Sequence, residues 1–285
     1  MGSPIAVDRT LPAGTRVGRV ALRVGDLESV TAFYRDVIGL SVLARTETTA
    51  TLGAGGTPLL ELTADPDAPE RGRADAGLFH VAFRVPSRTA LGDALERIRE
   101  RWELDGASDH HVSEALYLAD PEGNGVEVYR DRPRETWTEA DDGRVHIVTE
   151  PLDLEGVAEV STGADRAPAD TDVGHVHLEV ASLEAFERFY IAMFGFNLRA
   201  SYPDARFVAV DGYHHHVGAN TWNRRTGPAG DGPGLDWFEV VVPDDEGRRE
   251  LRERLPEGDV SESTAAGGFA VTDPDGIEVH VSPGP

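Results

Sequence analysis

The chain has 285 residues, a formal net charge of −24 at pH 7 and no cysteine. The lack of cysteine excludes disulfides, thiolate metal sites and cysteine nucleophiles, and the acidic field repels nucleic acid and anionic lipid. The length is typical of two domains, and no apolar run approaches the roughly 20 residues that span a bilayer.

The chain begins with MGSPIAVDRT, which lacks the basic-then-apolar order of a secretory signal. We therefore expect a cytoplasmic protein. The first periodic segment, VGRVALRVGDLESVTAFYRDVIGL (17–40), returns at a constant offset as VGHVHLEVASLEAFERFYIAMFGF (173–196). Each copy predicts an alternating strand and then an amphipathic helix that stops at a glycine, Gly39 or Gly195. Such self-similarity indicates a repeated structural unit.

A second pair of similar segments closes the repeated units. LADPEGNGVEVYR (118–130) and VTDPDGIEVHV (271–281) both show an Asp-Pro-acid-Gly turn that leads into a strand with a glutamate. The chain therefore divides into four strand–helix–strands modules, near residues 15–66, 75–131, 172–225 and 234–282.

The segment between the second and third modules is different. It is acidic, contains Pro and Gly and has little periodicity, so we interpret it as a connector with short helical turns. The predicted organisation is an N-terminal pair of modules (1–136), a connector (137–171) and a C-terminal pair (172–285).

Four βαβββ modules with these signatures resemble the vicinal oxygen chelate superfamily, which includes glyoxalases, fosfomycin and bleomycin resistance proteins and type I extradiol dioxygenases. The resemblance covers nearly the whole chain. DHHVSEALYLADPEGNGVEVY (109–129) and GYHHHVGANTW (212–222) are most similar to the catechol 2,3-dioxygenase branch. The resemblance implies an α+β fold with two half-barrels, each made of two modules, and metal ligands on the first and last strands of the modules.

The superfamily's ligand positions identify candidates in every module. On the first strands they are Arg19, His80, His175 and Trp237. On the last strands the carboxylates are Glu61, Glu127 and Glu278, and the third module offers the histidine run.

The pairing of the modules decides which candidates meet. Pairing in chain order leaves a single first-strand imidazole in each half. Pairing the second module with the third collects His80, His175 and Glu127, the two histidines and one carboxylate of a non-haem iron site. We therefore predict the crossed pairing, with the first and fourth modules as a structural relic in which Glu61 and Glu278 serve the fold.

The histidine run 214–216 is the candidate source of an acid–base group. Side chains alternate along a strand, so an extended run would point either the outer pair or the middle member into the cup. The resemblance assigns the acid–base role to His215 and turns His214 and His216 away. The alternatives are that all three merely pack or face water, or that they form a second metal site.

Other site residues follow from the same resemblance. Tyr117 matches the tyrosine that hydrogen-bonds the ring oxygens, and His110 matches a substrate-side histidine, although His111 competes for that position. His177 could also support or replace a ligand. The predicted substrate-binding residues are His177, Asn220 and Trp222.

The implied activity is that of an Fe(II)-dependent extradiol dioxygenase, with Mn(II) as an alternative metal. It would cleave a catechol-type aromatic diol with O2 and give a muconic semialdehyde. One rival is a glyoxalase-like metal-dependent isomerase or transferase, which would favour two carboxylate ligands. Another is a metal-free small-molecule-binding protein of the resistance type, which would need an apolar cup. The expected partners are the diol and O2, without nucleic acid or membrane, and a homo-oligomer is compatible with the sequence.

The basic residues add one further expectation. All 27 are arginine, and lysine does not occur. An acidic, lysine-free surface fits adaptation to high salt, because salt screens the mutual repulsion of the carboxylates. We therefore expect a halophilic protein.

Overall fold

A computed structural model describes residues 10–256, 260–262 and 268–284. In these ranges no helix is both long and apolar enough to cross a membrane. The strands are β1 (Arg16–Val24), β2 (Ser41–Arg45), β3 (Thr49–Ala54), β4 (Thr57–Ala64), β5 (Gly77–Arg84), β6 (Gly106–Asp109), β7 (Ser113–Ala119), β8 (Gly125–Asp131), β9 (Glu150–Pro151), β10 (Asp172–Glu179), β11 (Asn197–Tyr202), β12 (Ala205–Ala209), β13 (Val217–Asn220), β14 (Gly234–Val242), β15 (Val260–Glu262), β16 (Phe269–Thr272) and β17 (Glu278–Pro283). The helices are α1 (Leu27–Phe33), α2 (Arg88–Arg101), α3 (Leu154–Ala158), α4 (Leu183–Phe186) and α5 (Asp245–Arg254), with a 3₁₀ turn at Arg134–Thr136.

The strands form two mixed sheets, and neither sheet pairs the first module with the second or the third with the fourth. The first sheet has the order β15-β16-β17-β14-β1-β4-β3-β2, and the second has the order β11-β12-β13-β10-β5-β8-β7-β6-β9. The first and fourth modules therefore share one sheet, and the second and third share the other. The predicted α+β fold of four βαβββ modules in two half-barrel sheets is confirmed. The division at residues 136 and 171 into separate units stays a prediction.

The same strand arrangement centres both sheets. The first strands of two modules pair antiparallel, β1 with β14 and β5 with β10. The first and last strands of each module pair parallel, as in β5 with β8 and β10 with β13. The residues of the first and last strands that share a face therefore gather in the middle of each sheet.

The helices of the first and third modules end as the sequence predicts. Both α1 and α4 continue into a wide π turn, at Tyr34–Ile38 and Glu187–Phe194. Each turn ends at a glycine with left-handed backbone, Gly39 at φ 90° and Gly195 at φ 102°. A residue with a Cβ is strained in this conformation, so glycine is the residue that stops these helices.

Hydrogen bonds from these helices connect modules that follow one another in the chain. The Tyr34 hydroxyl donates to Asp120 at 3.3 Å, and the equivalent Tyr190 hydroxyl donates to Asp273 at 3.0 Å. Both aspartates begin the Asp-Pro-acid-Gly turns. Each module therefore contacts one other module through strand pairing and a different module through a hydrogen bond between a buried tyrosine and an aspartate.

The connector joins the second sheet. It contains the predicted helical turn as α3. It also adds the edge strand β9, which pairs antiparallel with β6. This pairing brings Ile147 and Thr149 to the wall of the cavity described below.

Candidate metal centre

Three neighbouring strands of the second sheet position His80, Glu127 and His175. The central strand β5 pairs with β10 on one side and β8 on the other, and Ala82 lies opposite both His175 and Glu127. His80 is two residues from Ala82 and therefore points to the same face. The crossed pairing of modules thus brings the three side chains together, although they come from distant parts of the chain.

The donor atoms of these residues form a nearly equilateral triangle. Nε2 of His80 and Nε2 of His175 lie 3.0 and 3.1 Å from Oε2 of Glu127, and the two nitrogens are 3.3 Å apart. Atoms about 2.1 Å from one ion and at right angles to each other would stand about 3.0 Å apart. The triangle therefore has the dimensions of one face of an octahedral metal site, and the residues fit a metal.

The electrostatics of the group also suit a cation. Burial alone would raise the pKa of Glu127, but its contacts with His175 and His80 outweigh this effect and hold the pKa well below its usual value. Burial lowers the pKa of His175 to about 4, against the opposing charge of Glu127. A neutral His175 imidazole and an ionised Glu127 carboxylate are the states that metal binding requires of these two residues.

A cavity of about 790 Å³ opens above this triangle. Its polar end contains His80 and Glu127 together with Tyr117, His110 and His215. The rest of its lining is mostly apolar and aromatic, with a second charged group formed by Arg71, Glu179 and Arg225. A mostly apolar cavity with a few convergent polar groups is typical of a small-molecule site.

His177 and Trp222 form one aromatic wall of the cavity. His177 lies opposite His80 in the strand pairing, and its ring centroid is 5.0 Å from that of His80 and 5.5 Å from that of Trp222. Trp222 is 51% exposed, which is unusual for so large an apolar side chain. His177 contacts the triangle from this wall and lies outside the group of donor atoms that converge.

Asn220 lies behind the wall. It is fully buried and is not among the residues that line the cavity. Its Oδ1 accepts the backbone N–H of Trp222 at 3.1 Å. The structure thus places Asn220 where it supports Trp222, and does not bring its side chain to the cavity surface.

Tyr117 and His110 form a hydrogen-bonded pair next to the triangle. Tyr117 lies opposite Glu127 in the pairing of β7 and β8, and its hydroxyl is 2.6 Å from Nε2 of His110. Nδ1 of His110 contacts the carbonyl oxygen of Val148. A carbonyl only accepts, so Nδ1 carries a proton. Burial, reinforced by the charge of Glu127, raises the pKa of Tyr117 well above 10 and keeps it a phenol.

His111 points away from this pair. Its backbone is left-handed, with φ 65°, and its half-exposed ring contacts Glu150 at 3.2 Å. His110 is therefore the member of the two that faces the cavity.

The histidine run is not an extended strand. His214, His215 and His216 lie in a bend before β13, and only His215 lines the cavity. Its ring centroid is 4.0 Å from that of His175. His216 turns away and accepts the backbone N–H of Val210 through Nδ1 at 3.3 Å.

Asp131, a hydrogen-bonding partner of the histidine run 214–216, was not predicted from the sequence. Asp131 accepts a hydrogen bond from Nε2 of His214 at 2.9 Å, and Nδ1 of His214 is 2.7 Å from Nδ1 of His215. The sequence does contain a signal for this position. Asp131 is four residues after Glu127 on β8, so both side chains point to the same face of the sheet.

The first sheet has a different arrangement at the corresponding positions. The Arg19 guanidinium contacts Glu61 at 2.5 Å and Glu239 at 3.1 Å, and it lies 5.4 Å from the ring of Trp237. A cation that belongs to the chain thus lies between two carboxylates. Glu61 holds Arg19, and Glu278 contacts a histidine on its own strand.

Comparisons with known proteins agree with this fold. Residues 16–128 match the model of the Glyoxalase/Bleomycin resistance protein/Dioxygenase superfamily. The catechol-2,3-dioxygenase of Bacillus subtilis (strain 168) is 40% identical over 271 residues, which cover 91% of this chain and 94% of that protein. Biphenyl-2,3-diol 1,2-dioxygenase 3 of Rhodococcus globerulus is 31% identical over 120 residues, 41% of this chain and 63% of that protein. The crystal structure of glyoxalase I from Zea mays superposes with a TM-score of 0.56 at 14% identity and supports the fold, with 94% of this chain and 92% of that chain covered.

Proposed function

The chain belongs to the glyoxalase/bleomycin resistance protein/dioxygenase superfamily, and we propose that it is a metal-dependent extradiol dioxygenase that acts on a catechol-type diol. The observation that carries this proposal is the triangle of two imidazoles and one carboxylate at the floor of the cavity. The single carboxylate favours a dioxygenase over a glyoxalase-like enzyme, for which two carboxylates are expected. The similarity to a catechol-2,3-dioxygenase along most of the chain supports the same activity.

The metal we propose is Fe(II), held by Nε2 of His80, Nε2 of His175 and a carboxylate oxygen of Glu127. The chemistry that Fe(II) supplies when bound is Lewis-acid binding of both vicinal oxygens of the diol and transfer of electron density from the ring to O2. Mn(II) in the same three residues is the alternative. The donor set favours a metal-dependent protein over a metal-free binding protein. Without a metal, three buried ionisable groups would gain little from converging.

The residues around the triangle would then transfer protons and orient the diol. His215 is neutral at pH 7, because burial and the neighbouring histidines keep its pKa well below 6.5. It can therefore accept a proton from a diol hydroxyl and return it during ring opening. Tyr117 would orient a ring oxygen through its hydroxyl, and His110 fixes the position of that hydroxyl through the 2.6 Å contact.

The aromatic wall would bind the ring. His177 and Trp222 present ring faces and edges to the cavity, and the half-exposed Trp222 would be covered by a bound diol. Asn220 would act through its hydrogen bond to the Trp222 backbone. The proposed product is a muconic semialdehyde. A cytoplasmic location and a homo-oligomer stay predictions.

The test is a single-turnover experiment in molar salt. The chain is loaded with Fe(II) without air and mixed with catechol, and air is then admitted while absorbance and oxygen are recorded. We expect a yellow ring-opened product and uptake of one O2 per product. A protein that retains iron and binds catechol but forms no yellow product and consumes no oxygen would refute the proposal.

A further inference from the structure

A line of three hydrogen-bonding groups runs from the cavity into the protein. Nδ1 of His215 is 2.7 Å from Nδ1 of His214, and Nε2 of His214 is 2.9 Å from Oδ1 of Asp131. His214 is fully buried and His215 is nearly so. Water therefore does not compete strongly for the contact between the two histidines, whereas the Asp131 side chain is 24% exposed.

Asp131 is held as an anion at the inner end of this line. Arg84 donates to it at 3.0 Å, and the Tyr213 hydroxyl is 3.1 Å from both of its oxygens. Burial alone would raise the pKa of Asp131, but the contacts with His214 and Arg84 outweigh burial and lower it. A carboxylate in this state can only accept hydrogen bonds.

The acceptor at the inner end sets the direction of every hydrogen bond in the line. Asp131 only accepts, so Nε2 of His214 carries the proton of that contact, and in the neutral tautomer of His214 this leaves a lone pair on Nδ1. That lone pair would accept the Nδ1 proton of His215. The remaining ring nitrogen of His215, Nε2, is then unprotonated and is the one left for the cavity.

We propose that Asp131 and His214 are positioning residues that fix the tautomer of His215, so that an unprotonated Nε2 faces the diol. This inference rests on the proposed function of the site. The same hydrogen bonds from Asp131 through His214 fix the orientation of the His215 ring at the cavity. The same logic of carboxylate, histidine orientation and proton acceptance operates in serine proteases.

The first test compares two neighbouring carboxylates. Asp131→Asn places an N–H where the His214 proton points, which would reverse the line and put a proton on Nε2 of His215. We expect kcat to fall about 100-fold or more, with KM within about threefold, because general-base catalysis typically contributes 10²–10⁴. Asp172→Asn is the matched control, since Asp172 contacts the other side of Arg84 at 2.6 Å and is not bonded to His214. Equal losses in the two variants would assign the effect to Arg84 and overturn the proposal.

The second test reads the tautomer directly and does not depend on activity. ¹⁵N NMR of the full chain, both metal-free and loaded with diamagnetic Zn(II), reports which His215 nitrogen carries the proton, and His215→Gln assigns the signal. We expect a proton on Nδ1 in the unsubstituted chain and on Nε2 in Asp131→Asn. A proton on Nε2 in the unsubstituted chain would overturn the proposal, even if ring cleavage itself is observed.

A pair of substitutions at His214 separates orientation from folding. His214→Asn keeps an acceptor near the place of Nδ1, whereas His214→Leu removes it at similar size. We expect the asparagine variant to keep the Nδ1 tautomer of His215 and most of kcat, and the leucine variant to lose kcat about 100-fold. Equal activity and equal tautomers in two folded variants would contradict the role of His214. Failure of the proposed function would appear differently, as an unsubstituted chain that cleaves no diol.

Discussion

The Nε2 atoms of His80 and His175 lie 3.3 Å apart, although 95 positions separate the two residues in the chain. Two imidazoles this close, beside the carboxylate of Glu127, are explained more simply by a shared cation than by packing. We predict that His80→Ala, His175→Ala and Glu127→Gln each lose most of the bound iron after dialysis, as measured by metal analysis. Glu61→Gln is the matched control, because it is the corresponding carboxylate of the first sheet, and it should keep full iron content. Full iron in either histidine variant would reject the site.

His215 should affect turnover and not metal content. We predict that His215→Gln keeps iron and the KM for catechol but lowers kcat about 100-fold or more, since the proton acceptor is lost. His111→Gln serves as the control, because His111 is half-exposed and lies off the cavity. Steady-state kinetics with parallel iron analysis measure both effects, and unchanged kcat in His215→Gln would remove His215 from the mechanism.

The Tyr117 hydroxyl should contribute a single hydrogen bond to substrate orientation. We predict that Tyr117→Phe retains iron and lowers kcat/KM about tenfold, which corresponds to about 1.4 kcal/mol for one lost hydrogen bond. Tyr202→Phe also removes a hydroxyl from the cavity wall, but that hydroxyl donates to the carbonyl of Ile147. The tyrosine at position 202 should therefore matter less, and an equal loss in both variants would mean that Tyr117 has no special role.

The buried histidines predict a dependence of stability on pH. Burial lowers the pKa of His216 from 6.5 to about 3, so below pH 6.5 the unfolded chain binds a proton that the folded chain does not. The free energy of unfolding of the metal-free chain should therefore decrease as pH falls from 6.5 towards 3, by up to about 1.4 kcal/mol per pH unit for this one group. His175, with its pKa lowered to about 4, acts in the same direction. Asp273, with its pKa raised to about 7 by burial, acts in the opposite direction between pH 3.8 and 7.

A variant isolates the contribution of His216. In His216→Gln the slope of stability against pH should be smaller than in the unsubstituted chain by about 1.4 kcal/mol per pH unit between pH 5.5 and 4. Urea denaturation at a series of pH values measures both slopes, and the contributions of the other groups cancel in the difference. Identical slopes would show that His216 is protonated equally in the folded and unfolded chains.

The net charge of −24 predicts stabilisation by salt. At 1 M salt the screening length is about 3 Å, so repulsion between surface carboxylates is largely removed. We expect Tm to rise between dilute buffer and molar KCl, as measured by calorimetry. Sucrose is the control for general solute effects, and equal Tm values in dilute and molar KCl would exclude halophilic adaptation.

The sequence was sufficient for the fold and for the group that converges in the second sheet. The reason is that module boundaries, strand alternation and turn chemistry are local signals, and they repeat. His80, Glu127 and His175 could be selected because each occupies the same place in its module, and the pattern of alternation sets the face to which each points. The structure brings these three together, while their role as ligands stays a proposal.

The rest depends on long-range contacts that no local pattern specifies. The run 214–216 reads as extended but forms a bend, and His214 turns inward to Asp131, 83 positions away. The connector likewise looked like a spacer, yet its edge strand β9 and the Val148 carbonyl help to fix His110. Asn220 seemed to line the cavity because it ends β13, but its side chain faces the backbone of Trp222.

Because of the Arg19 guanidinium, the two sheets differ in how the carboxylate charges at their centres are compensated. The first sheet has a cation that belongs to the chain between Glu61 and Glu239, and it offsets one of those two negative charges. The cation that we propose for the second sheet would come from solution. Removal of the metal by a chelator should therefore affect the second sheet and leave the first sheet unchanged. The first sheet would then help the second to keep its structure until metal binds again.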